Sequence, residues 1–122
     1  MNKPHKKLNA WSDAVDLAQQ IYRVTERFPS NEQFGLTSQI RRAAVSIPSN
    51  IAEGAARQTK KEFLNFLHIA KGSLSELDTQ LEIARRLEYL DQVRWETLDE
   101  RLERIDRMLS ALVRSLRSRN NP

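Results

Sequence analysis

Apolar residues recur along this chain at alternating intervals of four and three, the spacing that lines one face of a helix. The first run is Ala10, Ala14, Leu17, Ile21, Val24 and Phe28. Asn9 stands where an N-cap belongs, and Phe28-Pro29 closes the run, because a residue before proline is pushed out of helical geometry. The second run is Leu36, Ile40, Ala43, Ile47, Ile51 and Gly54, preceded by Ser30 and Gln33 in capping-box spacing. The third is Phe63, Leu67, Ala70, Leu74, Leu77, Leu81 and Ala84, opened by Thr59-Lys60-Lys61-Glu62, again a capping box. The fourth opens near Asp91 and runs Trp95, Leu98, Leu102, Ile105, Leu109, Leu112 and Leu116. The spacing predicts helices over about 10–27, 31–57, 60–88 and 92–118. Connections this short join only antiparallel neighbours, so the expected fold is all-α, an up-down-up-down antiparallel four-helix bundle. A chain of 122 residues makes it a single domain over residues 1–122.

The stripes are wider than one core needs. Leu64, Phe66, Ile69, Ile83 and Leu87 lie outside the main seam of the third helix, and Met108 and Val113 flank that of the fourth. A helix that serves one core keeps a polar back. The surplus predicts a second buried surface, between copies of the chain.

Composition narrows the class further. Three glycines and four prolines in 122 residues favour helix over sandwich or barrel. Cysteine is absent, which removes disulfides, thiolate nucleophiles and cysteine metal sites. No apolar run reaches the roughly 20 residues of a membrane span. The stretch Met1-Asn2-Lys3-Pro4-His5-Lys6-Lys7 lacks the apolar segment of a secretory signal, so a cytoplasmic location is expected.

Charge is distributed unevenly. Residues 1–8 hold three lysines and no acid, and residues 101–122 hold six arginines against Glu103 and Asp106. The net charge is +4, so the remaining stretch is mildly acidic. Lys3, Lys6, Lys7, Arg104, Arg107, Arg114, Arg117 and Arg119 are therefore the candidate nucleic-acid contacts. Their bland alternative is a solvated face with helix pairs such as Glu100–Arg104 and Glu103–Arg107.

One segment breaks the helix rules. Ser46-Ile47-Pro48-Ser49-Asn50-Ile51-Ala52-Glu53-Gly54 places a proline and several polar residues inside an apolar helix. Pro48 cannot donate to the Ala44 carbonyl, and the hydroxyl of Ser46 or Ser49 is placed to offset part of that loss. Ser46, Asn50, Glu53 and Arg57 share one helical face, and Ser73, Glu76 and Gln80 repeat the spacing on the third helix. The expectation is a polar network of Arg41 or Arg42 with Ser46, Asn50, Glu53, Glu76 and Gln80 that sets helix register.

Nothing in the chain reads as a catalytic set. A di-metal bundle needs Glu-x-x-His pairs, but the only histidines are His5 and His68, and Asn65 stands three residues before His68. No Gly-rich phosphate loop or nucleophile motif occurs. The expectation is a protein without enzymatic activity, metal or cofactor.

The run Gln39-Ile40-Arg41-Arg42-Ala43-Ala44-Val45-Ser46-Ile47-Pro48-Ser49-Asn50-Ile51-Ala52-Glu53-Gly54 resembles the signature of the bacterial four helix bundle protein family, encoded in intervening sequences of large-subunit ribosomal RNA genes. Tyr22, Phe28-Pro29, Phe34-Gly35-Leu36 and Ala70-Lys71-Gly72-Ser73-Leu74-Ser75-Glu76-Leu77 extend the resemblance over roughly residues 8–90. The resemblance implies a four-helix bundle assembled as a homopentamer. A similar pentameric bundle is the accessory protein of diversity-generating retroelements, where it binds nucleic acid and a reverse transcriptase. By that analogy the chain is expected to bind RNA or DNA through basic outer surfaces. The alternative is an oligomeric scaffold or adaptor for a protein partner, with no direct nucleic-acid role.

Overall fold

The computed structural model describes residues 1–118. A short 3-10 turn, Pro4–Lys7, leads into α1 (Asn9–Thr25), and a second, Ser30–Glu32, leads into α2 (Leu36–Ala55). Then follow α3 (Lys60–Arg86) and α4 (Gln92–Ser118). Successive helices pack against each other, and α4 closes the ring on α1. This is the expected all-α four-helix arrangement.

The four seams form its core. Ala14, Leu17, Ile21, Ile40, Ile47, Ile51, Leu67, Ala70 and Leu77 are wholly inaccessible, and Leu98, Leu102, Ile105 and Leu109 meet them from α4. Val24, Leu36, Phe63, Trp95 and Leu112 are half-buried, mostly toward the helix ends. Val113, read as a flanking position, is buried, so the apolar face of α4 is wider than its seam. Burying apolar area at about 25 cal/mol per Å² supplies the main stabilisation here.

The helix ends test the capping arguments. Thr59 caps α3, with the Glu62 amide donating to Thr59 Oγ1 at 3.2 Å and that hydroxyl donating to Glu62 Oε1 at 2.9 Å. Asp91 caps α4, accepting from the Arg94 amide at 2.8 Å. The other two expectations are corrected. Leu8, not Asn9, occupies the cap position of α1, and no side chain caps it. Ser30 and Gln33 form no box. Residues 30–32 make a 3-10 turn, and α2 starts only at Leu36, whose amide donates to Glu32 Oε1 at 3.3 Å. Pro29 sets the chain in extended geometry just before the turn, which delays the helix.

Helices α2 and α3 approach each other closely. A methyl group on Gly54 would lie 2.8 Å from Phe66 Cβ, 2.9 Å from Phe63 Cδ1 and 3.2 Å from the Phe63 carbonyl oxygen. Two helical turns earlier, Ser46 Oγ and Ser73 Oγ share a hydrogen bond of 2.8 Å across the same interface. Asn50 Nδ2 donates to Ser46 Oγ at 2.9 Å and to the Ser46 carbonyl at 2.8 Å. Ser46 is thus committed to α3 and Asn50 and does not serve the backbone gap at Pro48. The helix runs on through Pro48, whose ring is buried.

Gly54 and Gly72 make a matched test. Gly72 lies in the middle of α3 with no atom within 4 Å of an added methyl. Gly72→Ala should stabilise the fold by about 0.5–1 kcal/mol through helix propensity. Gly54→Ala gains the same term, yet it must displace a Cβ and a backbone carbonyl rather than a flexible chain end. It should lose about 1–2 kcal/mol net. Urea unfolding of both variants checks the opposite signs.

Candidate nucleic-acid interface

Antiparallel packing decides which charges become neighbours. The chain's start, the α2–α3 turn and the end of α4 all lie at one end of the bundle. Residues 1–8 bring three lysines and no acid, residues 53–62 three cations against Glu53 and Glu62, and residues 110–118 two arginines and no acid, for a net +6. At the opposite end, residues 23–32 balance two arginines against two glutamates. There, residues 82–96 set three arginines against four acids, so that end sums to −1. That neutral end is tied together by Tyr89, whose hydroxyl donates to Glu32 Oε2 at 3.0 Å and whose ring lies 5.5 Å from that of Phe28. The chain is therefore strongly polarised along the bundle axis.

At the basic end, Lys3, Lys6 and Lys7 are exposed around the first 3-10 turn, with Lys6 Nζ 5.7 Å from the centroid of the Trp11 ring. Arg114 and Arg117 are exposed on the last turns of α4. Arg117 Nη2 donates to His68 Nε2 at 3.1 Å. A guanidinium only donates, so Nε2 is the acceptor of this pair, which links α4 to α3. Arg119 lies outside the described residues. Arg107 points outward from mid-helix. Arg104 pairs with Asp13 of α1, Nε to Oδ2 at 2.9 Å, rather than with Glu100. It therefore leans toward α1, away from the face that carries Arg114. The residues that sequence reasoning missed are Arg57, Lys60 and Lys61. Their signal was topological, since an up-down-up-down bundle must place the α2–α3 turn beside both chain ends. The Arg57 guanidinium rests 4.9 Å from the Phe66 ring centroid and reaches Glu53 at only 4.0 Å.

The expected register network is divided, not continuous. Ser46 and Asn50 join Ser73 across α2 and α3. Gln80 Nε2 donates to Glu76 Oε1 at 3.1 Å within α3, and Gln80 Oε1 is buried without a partner among the described residues. Glu53 is 61 % exposed and meets only Arg57. Arg42 is exposed, while Arg41 turns the other way, donating from Nε to Thr25 Oγ1 at 2.8 Å and covering the Tyr22 ring at 4.5 Å. The physical reason is angular. Polar residues at 3–4 spacing follow the rim of the α2–α3 seam, so only the small ones nearest its floor can meet.

A second charged feature separates α3 from α4. Asp78, Asp99, Glu103 and Asp106 line a groove between them, and Lys71 answers only Asp106, at 3.7 Å. Desolvation, followed by the charges of Asp99 and Glu82, pushes the Asp78 carboxyl above its ordinary range. One turn on, hydrogen bonds from Arg85 and Arg86 pull Glu82 down to about 2. Among the described residues no group of three or more His, Asp or Glu side chains could hold a metal ion, and no helix is long and apolar enough to cross a membrane.

Comparison with known proteins places this geometry. The family model described as 23S rRNA-intervening sequence protein matches residues 6–111. Among solved structures, the fold is similar to a crystal structure of a protein with unknown function from the S23 ribosomal protein family of Bacteroides thetaiotaomicron VPI-5482. The TM-score is 0.80 at 24 % sequence identity, covering 86 % of this chain and 95 % of that one. At that identity the likeness is one of fold. No curated protein matches the sequence.

The two carboxylates one turn apart on α3 should titrate with opposite effects on stability. Asp78, held above its unfolded value, disfavours the fold when ionised, and that penalty lifts as pH falls through its folded value. Glu82, held below its unfolded value, contributes stability that is kept at neutral pH and lost as pH falls toward about 2. Asp78→Asn should raise Tm at neutral pH, with the gain vanishing in acid once the carboxyl is protonated. Glu82→Gln should lower Tm at neutral pH and converge with the parent chain in acid. Thermal melts across a pH series check both signs.

Proposed function

The chain belongs to the 23S rRNA-intervening sequence protein family, and from that premise we propose that it is a non-enzymatic, self-associating helical bundle that binds nucleic acid, RNA or DNA, at its basic end. The observation that carries the reading is the polarisation of charge along the axis, +6 at one end against −1 at the other. Fields of this kind concentrate polyanions and make their binding strongly salt-dependent.

Self-association is supported by the outer face of α3. Ile69, Ile83 and Leu87 are 51 %, 44 % and 49 % exposed, and helical spacing sets them on one side with Glu76 and the half-satisfied Gln80. An apolar strip beside a buried unpaired amide oxygen is what a subunit contact would complete. In keeping with the family resemblance, the assembly proposed is a ring of five. Symmetry would then repeat the basic end, so contacts that are weak singly add through multivalency. A chain without cysteine suits a reduced, cytoplasmic setting.

A second reading rests on a different observation. Phe34 is 91 % exposed and Val93 73 % exposed, both at the neutral end. Apolar groups left in water there favour a protein partner, with the bundle as scaffold or adaptor.

Two measurements separate these readings. Fluorescence titration with structured RNA and duplex DNA should show binding at low salt that falls steeply as salt rises; no detectable binding at low salt sinks the nucleic-acid reading. Light scattering should give a mass several times 14.2 kDa, and a value near 14.2 kDa rules out self-association.

A further inference from the structure

The aromatic residues at the basic end bear on which form of nucleic acid fits there. Trp11 is half-buried, with His5 edge-on at 4.8 Å between centroids and Lys6 over its ring. Phe66 is half-buried beneath the Arg57 guanidinium. Both rings are already occupied by cations or by histidine. The fully exposed Phe34 is at the opposite end. Proteins that hold single strands rely on open aromatic faces on which bases stack. This end offers cations without an open stacking platform.

The spread of charge bears on the same question. Neighbouring helices pack 8–10 Å apart, so the end of a four-helix bundle is about 20 Å across. Over that span a double helix carries about 12 phosphates, at one per 1.7 Å of axis, in two rows of about 6 each. Lys3, Lys6, Lys7, Arg57, Lys60, Lys61, Arg114 and Arg117 make eight cations on this surface. Glu53 and Glu62 bring their sum to the +6 given above, about the charge of one phosphate row over that span, so the choice between strand and duplex rests on the missing stacking platform and on how the cations are spread. The cations also come from three separate segments of chain, a spread suited to two phosphate rows.

We propose that the basic end docks the double-helical phosphate backbone, without base contacts and hence without sequence preference. This inference rests on the nucleic-acid reading and narrows it. The test is fluorescence anisotropy of the full chain with one duplex, a second duplex of unrelated sequence, and the component single strands at equal length. The two duplexes should bind alike and at least about tenfold tighter than the strands, with log K falling against log salt by about 0.9 per phosphate neutralised. Replacing Arg57, Lys60 and Lys61 together by Ala should shallow that slope by up to about 2.7. Replacing Lys3, Lys6 and Lys7, which lie outside the four long helices, should do likewise if the turn variant folds poorly. Arg23→Ala with Arg27→Ala, at the opposite end, should leave the slope unchanged. Single strands bound as tightly as duplex would overturn the preference while leaving nucleic-acid binding intact. Slopes unmoved by both basic-end variants would overturn the location. Absence of binding to every probe at low salt would remove this proposal together with the reading beneath it.

Discussion

The spacing between α2 and α3 is the constraint on which the bundle depends. Gly54 has no side chain where Phe63 and Phe66 press against it, and the Ser46–Ser73 pair is short enough to bond directly across the interface. These positions bring the two backbones together over two turns. Larger residues there would force the helices apart and open voids beside Ile47, Ile51 and Leu67, all wholly buried. α1 is laid on α2, and α4 on α3, so an error in this one spacing would propagate to both outer helices. The rule-breaking segment from Ser46 to Gly54 is therefore a packing device. Its small and polar residues serve proximity more than chemistry.

Topology then does what composition alone cannot. The sum of +4 is modest, yet folding the chain back on itself three times sorts the charges by end. Helix α4 reinforces this. Glu96, Asp99, Glu100 and Glu103 outnumber Arg94, Arg101 and Arg104 in its first half, and Arg107, Arg114 and Arg117 outnumber Asp106 in its second. No acid stands in the first turn of α4, but Arg117 in its last turn complements the backbone dipole there. At Arg117, helix stability and surface field draw on the same residue. Arg104 and Arg117 add a further role, since the first bonds Asp13 of α1 and the second His68 of α3. They tie α4 to both neighbours while keeping their charge.

How much of this was legible in the sequence depended on the range of the interaction. The seams were legible because burial repeats with helical period, and Leu67, Leu77, Ile105 and Leu109 lie where that period puts them. The Thr59–Glu62 cap was legible because its partners are three residues apart and nothing else competes. The Ser30–Gln33 box had the right spacing but stood next to Pro29, and the extended backbone there won. Arg41 and Arg42 could not be separated in the sequence, because a difference of one residue turns a helical side chain by about 100°. One meets Thr25 and Tyr22, and the other meets solvent. The polar network was overread for the same reason: a shared face does not guarantee reach across a seam. Arg57, Lys60 and Lys61 were overlooked because their neighbours at the basic end are far away in sequence.

The surfaces left over are at right angles to one another, and that geometry bears on how one bundle could carry two roles. Charge is gathered at an end, while the unpaired apolar strip of Ile69, Ile83 and Leu87 runs along a side. Contacts made through sides set bundle axes roughly parallel and leave their ends exposed. A basic patch on the side would be buried or repelled by such contacts, and an apolar patch on the end would not be covered by them. The observed division avoids both conflicts. Copies that meet along α3 would hold their basic ends in one plane, where the repulsion between them grows with each copy added. A polyanion lying across that plane relieves the repulsion, so lateral assembly and nucleic-acid binding would each favour the other through charge alone.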